Sequence, residues 1–429
     1  MLPIQASAEI NPDFPKDAKE IIKIQLRPNI HWSMSMNLLP PVSTSQMALE
    51  LMQHFQQNMA GKLAWVDSPK NPWRQVIIPL AHVSSTVLYA VLSLSSEDLS
   101  YHYTQDHPRH THLQHISHQY RNEALALLAK RISSLRENEI SHAGSYDSNE
   151  IRYALASMLI LYNVELLGAE PIKWRMHLQA ARVMLQWREQ TSSRATSLDE
   201  IDTFLVYEHY YASVFAGLTT FDTADELPGD RFEHFDDITM FSDFVRVIHR
   251  VTQIERVAYD RRTNVEPSQI QDIIFEVEAA RQRMAHLGQK LHLQNYHVQQ
   301  DFQHLVYIFY HASLIYTYRV LRNDSATDPI AQASRDSILN HLYSLSNKET
   351  FAHDVVWPLF ILGTEGKGHP ELQEIVSREM EAVMKISGAL DRRKVLFFLQ
   401  QYWSLDLDPG ANWMYLMREM IPGNSMLIL

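Results

Sequence analysis

The clearest pattern along the chain is helical. Between Asp147 and Gly168, the residues Ile151, Ala154, Leu155, Met158, Tyr162 and Leu166 recur at spacings of three and four. That period places them on one face of a helix. Asp147 and Glu150 suit the N-cap and N3 positions at its start, and Gly168 suits the position just past its end. Pro171 then fits the first turn of a second helix, on which Trp174 and His177 lie one turn apart. The stretch predicts an αα-hairpin.

The same period runs through most of the chain. Ser43 and Gln46 form a capping-box pattern ahead of Met47, Leu51 and Phe55. Thr86 to Leu99 reads as a buried helix, and a further helix runs from about Thr111 to Arg136. Periodic runs follow near 199–218, 241–260, 267–292, 296–322, 334–346, 349–363, 370–388, 391–404 and 410–420. The breaks at "TSSRATS", "TADELPGD", "RNDSATDP" and "GTEGKGHP" are too short to be interdomain linkers. Residues 1–42 are irregular and rich in proline, with one apolar segment, "IIKIQL", and read as an arm lying on the body. No fixed-period repeat stands out. The expectation is an all-α protein, with residues 43–429 forming a single large domain of stacked, mostly antiparallel helices.

Composition sharpens this picture. Only 12 of 429 residues are glycine, which disfavours hairpins and phosphate-binding loops. No G-x-G-x-x-G, Walker A or G-x-S-x-G pattern occurs, which removes the common nucleotide-binding and hydrolase readings. The absence of cysteine excludes disulfides, zinc–thiolate clusters and a thiol nucleophile, and fits a reducing compartment. The formal charge of −12, without a clear basic cluster, opposes direct binding to nucleic acid. Val76 to Leu94 lacks formal charges, but Pro79, His82, Ser84, Ser85 and Thr86 make it a buried helix rather than a membrane span. The first twenty residues lack a basic start and a long apolar core, so no signal peptide is expected.

Five segments in order carry a family resemblance. "NPWRQVIIPLAHVSSTVLYAVLSLSS" comes first. "ASMLILYNVELLGAEPIKWRMHLQAARVML" follows, with Glu165, Trp174, His177, Ala180 and Ala181 as landmarks. "HASLIYTYRV", the Trp357 segment "VVWPLFILGTEG", and an ending that carries Trp403 and Trp413 complete the series. Together, over about residue 43 to the C-terminus, these segments resemble the C-terminal regulatory domain of fungal zinc-cluster transcription factors, the fungal-specific transcription factor domain. Ala180 stands where that family often has glycine. The resemblance implies a regulatory protein, nuclear or cytoplasmic, that binds an apolar small molecule or a protein partner. A homodimer is compatible with it. The chain contains no six-cysteine cluster, so direct DNA binding is not expected of it. The alternative is a repurposed helical body acting as a cofactor-independent cyclase or isomerase on an apolar secondary metabolite, largely by positioning.

Several polar constellations interrupt the apolar pattern. His177 is expected to fix the hairpin rather than to act as a base, because it belongs to a fold landmark. "YHYTQDHPRHTHLQHISHQY" holds His102, His107, His110, His112, His115 and His118. Pairs at i, i+3 share a helix face and can chelate. With no H-E-x-x-H pattern, the segment is read as a polar interhelical stretch, and no metal or cofactor is expected. Tyr207, Glu208, His209, Tyr210 and Tyr211 lie on one apolar helix, and His304, Tyr307 and His311 lie on a common face of another. These two helices are expected to share a cavity for an apolar, oxygenated ligand. The ligand-binding candidates are Tyr207, Glu208, His209, Tyr211, His304, Tyr307 and His311. Within that set, Glu208, His209, Tyr307 and His311 are the foremost polar contacts, since burying such groups without partners is costly.

Overall fold

The computed structural model describes residues 45–140, 148–168, 173–191, 199–221, 240–290, 293, 296–322, 329–388, 392–406, 413–420 and 426–428. The arm of residues 1–42, together with Ser43, Asp147 and Pro171, lies outside the described residues. Among the described residues all regular structure is helical, as the sequence predicts. The backbone groups into two compact units. The first comprises residues 1–167 and 176–209, the second residues 168–175 and 210–429.

The first unit opens with α1 (Ser45–His54), a π-helical turn (Phe55–Met59) and α2 (Ala60–Leu63). A second π turn (Trp73–Ile77) leads into α3 (Ile78–Val83) and then α4 (Ser85–Ser100). The apolar run that approached membrane-spanning length is broken at Ser84, whose backbone is extended at φ −129° and ψ 115°. Pro79 sits in the first turn of α3, where no N–H is required. No described helix is long and apolar enough to cross a membrane.

α4 forms the centre of this unit, packed by α1, α3, α5 (Pro108–Ile140) and α6 (Ser148–Leu167). Val87, Leu88, Ala90, Val91, Leu92 and Leu94 have no exposed surface. A helix apolar on all sides must be enclosed on all sides. Two of its serines are satisfied within the helix. Ser96 Oγ donates to the Leu92 carbonyl at 2.8 Å, and Ser100 Oγ donates to that of Glu97 at 2.7 Å. α5 meets α4 with a narrow seam of Leu113, Ser117, Tyr120, Ala124, Leu128 and Leu135. Ser93 Oγ donates to the Ser117 carbonyl at 3.1 Å across that contact.

α7 (Lys173–Thr191) follows α6, with His177 on α7 3.7 Å from Glu165 on α6, and α8 (Glu200–Gly217) follows α7. The boundary between the units falls within both α7 and α8.

The second unit is built on α11 (Tyr296–Leu321), against which α9 (Ser242–Arg261), α10 (Pro267–Lys290), α12 (Pro329–Ser344) and α13 (Val356–Thr364) pack. α14 (Pro370–Ser387) and α15 (Arg392–Ser404) pack on α13, and α16 (Trp413–Met420) follows. α10 buries Ile270, Ile273, Val277, Ala280, Met284 and Gly288 at spacings of three and four. Gly388, at φ 71°, ends α14 and donates its N–H to the Met384 carbonyl at 3.0 Å.

Two helix starts differ from the sequence expectation. α12 begins at Pro329 rather than Ser334, because proline is tolerated at the first helical position. α13 begins at Val356 rather than near Glu349. Pro358 has no N–H and its ring clashes with a preceding turn, so the helix starts within a turn of it.

Two tryptophan landmarks of this unit, Trp357 and Trp413, lie in its core, and Trp403 is half-buried. Trp357 stacks on Phe309 at 5.6 Å and meets Tyr316 edge-on at 5.9 Å. Trp413 meets Phe360 edge-on at 4.8 Å. Trp403 donates its indole N–H to the Gly363 carbonyl at 2.8 Å.

Candidate functional site

The residues singled out by sequence fall into three settings. In the first, Glu165 on α6 is buried, 3.5 Å from Arg121 on α5 and 3.7 Å from His177 on α7. A carboxylate removed from water needs cationic or hydrogen-bonding company. The His177 and Glu165 landmarks therefore meet around one buried acid. Trp174, one turn before His177, has no exposed surface, and its indole N–H has no acceptor.

On α8, within the first unit, Tyr207 and His209 are buried and Glu208 is partly so. Burial pushes the Glu208 carboxyl up to about 8, which keeps it protonated at neutral pH. Burial pushes His209 down to about 4, aided by the Arg182 charge and opposed by its hydrogen bond to the Leu178 backbone. His209 Nε2 donates to the Leu178 carbonyl at 3.2 Å. Adjacent helical side chains point about 100° apart, so Glu208 and His209 do not face each other. This stretch holds a neutral acid and a neutral imidazole.

Tyr211 belongs to the second unit, where its hydroxyl donates to the Met240 carbonyl at 3.0 Å. Tyr210 meets the His249 ring edge-on at 6.1 Å, and burial pushes His249 down to about 4.

The third setting is the most developed. His304, Tyr307 and His311 occupy α11 at i, i+3 and i+7, and all three are half-buried. The structure brings them together with residues that sequence reasoning missed. His341 on α12 stacks on Tyr307 at 4.9 Å between ring centres, with the planes 6° apart. Its Nδ1 lies 3.0 Å from His304 Nδ1, so one ring donates and the other accepts. The His311 ring lies 6.3 Å away, nearly parallel to that of His341, and its Nδ1 meets Ser334 Oγ at 3.2 Å. On the α10 side, Arg281 lies over Tyr307 at 5.4 Å and over Tyr310 at 5.5 Å. It also donates to Glu278. That bond is the main cause holding the Glu278 carboxyl down at about 2.

Burial, then the neighbouring His341 and Arg281 charges, push His311 down to about 4. Burial, then His304, also lowers His341. At neutral pH these two imidazoles are therefore uncharged. The seam offers hydrogen-bond donors and acceptors beside flat aromatic faces, a chemistry suited to an apolar molecule bearing oxygen. Ser334 and His341 share the i, i+7 spacing of their α11 partners. That signal is weak on an amphipathic helix until the partner helix is known.

Cation binding is a separate matter. Among the described residues, the one group of three ligating side chains that converges within reach of an ion is His54, Asp98 and His102, in the first unit.

A family model described as the fungal specific transcription factor domain matches residues 50–427. The chain belongs to that family. No curated protein and no solved structure matches it.

Proposed function

We propose that this chain is a regulatory body of the fungal transcription-factor type and that it responds to an oxygenated apolar small molecule held at the seam of α10, α11 and α12. Family membership over 50–427 supports the regulatory role. The observation that carries the ligand reading is the concentration of His304, Tyr307, His311 and His341 on facing helices, half-buried and in mutual contact. A purely structural contact would be served as well by apolar side chains, without the desolvation cost of imidazoles. The protein acts in the nucleus or cytoplasm, and the chain reaches DNA through another polypeptide segment or partner rather than through its own acidic surface.

The test is a tethering assay. The full chain is fused to a heterologous DNA-binding domain and placed before a reporter gene. A folded fusion that raises or lowers reporter output relative to the DNA-binding domain alone supports the regulatory role. A folded, expressed fusion with no effect, in the presence and absence of a panel of polyene and terpenoid metabolites, refutes it. The same panel, screened by thermal shift, identifies the ligand class.

A further inference from the structure

The first unit contains a cluster that neither the fold landmarks nor the seam accounts for. His54 ends α1, immediately before the π-helical turn Phe55–Met59. Asp98 lies near the end of α4, and His102 follows it by four residues, one turn on. The nitrogen and oxygen atoms these three offer all lie within 4.8 Å of one another. His54 Nε2 is 2.8 Å from Asp98 Oδ2, and His102 Nε2 is 4.0 Å from the same oxygen. The two imidazoles meet edge-on with ring centres 5.5 Å apart.

We propose that His54, Asp98 and His102 form a binding site for a divalent transition-metal ion of the zinc class, with its fourth position open to solvent.

The donor set is that of zinc: two imidazoles and one carboxylate. Zinc–ligand bonds of about 2.0–2.2 Å in a tetrahedron set the ligand atoms roughly 3.3–3.5 Å apart. The Asp98–His54 contact must open by about 0.6 Å and the Asp98–His102 contact must close by a similar amount. Asp98 is 1 % exposed and His54 is 7 % exposed, whereas His102 is 49 % exposed. Two ligands are therefore fixed in the core while the third stands at the surface, which gives an ion a way in and leaves room for water.

The surroundings fit as well. Lys62 Nζ donates to Asp98 Oδ1 at 2.6 Å, which favours the ionised carboxylate that a metal requires and leaves Oδ2 facing the histidines. Asn58, on the π turn, lies with its side-chain nitrogen 3.2 Å from His54 Nδ1. A hydrogen bond to the outer nitrogen of a ligating histidine orients the ring. Without an ion His54 Nε2–H donates to Asp98 and Nδ1 accepts from Asn58. On metal binding the ring proton moves from Nε2 to Nδ1, and the Asn58 amide turns to accept it through Oδ1. The neutral ring neither gains nor loses a proton overall. π turns recur at functional sites because the extra residue re-aims side chains, and this one sets His54 and Asn58 on a common side.

The sequence could not show this arrangement. Of the histidines in 102–118, His112, His115 and His118 lie exposed on α5. His110 is buried against the Ser100 carbonyl at 2.8 Å. The partner of His102 and Asp98 comes from α1, 44 residues before Asp98.

The experiment is a calorimetric titration of the full chain with zinc chloride, repeated with cobalt(II) to read the visible bands of a tetrahedral site. One site per chain is expected. His102→Ala, a change at the exposed ligand that spares the fold, should weaken zinc binding by at least about 100-fold, beyond the ~10–100-fold expected for losing an orienting partner. Asn58→Ala should weaken it within that smaller range. His115→Ala, on exposed α5, should change nothing. Absence of zinc binding by the wild-type chain, or zinc binding that His102→Ala leaves unchanged, overturns the proposal and leaves a structural Asp98–His54–Lys62 network.

Discussion

Gly288 lies in the last turn of α10, facing α11. A Cβ built there would sit 2.3 Å and 2.5 Å from two carbons of the Phe302 ring and 3.2 Å from the Gln303 side-chain nitrogen. Replacing glycine by alanine within a helix ordinarily stabilises it by about 1 kcal/mol. Here the opposing term is larger. Phe302 has no exposed surface, and its ring is backed by Phe241 with centres 5.9 Å apart. It cannot swing away as a flexible side chain would. Overpacking of a filled core costs roughly 1–3 kcal/mol, and separations this short belong at the upper end. The net expectation for Gly288→Ala is a loss of about 1–2 kcal/mol. Urea denaturation measures it. The mechanism is isolated by a double-mutant cycle with Phe302→Leu, which opens the space. The pair should lose less than the two single losses added together, with a coupling of about 1 kcal/mol or more. Stabilisation by Gly288→Ala, or strictly additive losses, would refute the reasoning.

Other expectations follow from the same structure. Trp174→Ala removes a fully buried indole and should cost about 3–5 kcal/mol, seen as a large fall in melting temperature. His209 titrates near 4 when folded against an ordinary 6.5, so the folded state binds fewer protons between those values and stability falls as pH drops through that window. The term amounts to about 3 kcal/mol, and His209→Gln, which keeps a donor for the Leu178 carbonyl, should flatten the acid limb of a stability–pH curve. Glu208 has the opposite sign. Its folded value of about 8 lies above an ordinary 4.5, so its contribution is lost as pH rises through that range, and Glu208→Gln should stabilise the chain at pH 8 more than at pH 5. The chain alone should give no tight, sequence-dependent mobility shift with DNA at low or moderate salt, given its charge of −12.

Helices were legible wherever the apolar period was sustained. The repeats at Ile151, Ala154, Leu155 and Met158, and at Ile270, Ile273 and Val277, needed no partner to be read. Helix starts near proline were less so, because Pro329 and Pro358 restrict a start without fixing its residue. The seam was half legible. His304, Tyr307 and His311 stand out because they interrupt an apolar helix on one face. His341, Ser334 and Arg281 sit on amphipathic helices, where a polar residue attracts no notice. Only the packing of α10 and α12 on α11 gives them a common address. The His54–Asp98–His102 cluster was illegible for the same reason, since its members come from helices whose pairing no local pattern specifies.

If a ligand at the α10–α11–α12 seam governs a regulatory output, that output depends on the seam's imidazoles. The most direct measurement is the tethered-reporter activity of the full chain with and without a metabolite found to raise its melting temperature, compared between wild type and His311→Gln. His311 contacts Ser334 and lies beside His341, and the glutamine variant keeps a polar side chain while losing the imidazole. Reporter output from the wild type should change with ligand. In the variant the response should shift to higher ligand concentration, with the unliganded melting temperature nearly unchanged. An identical ligand response in both proteins would contradict that dependence.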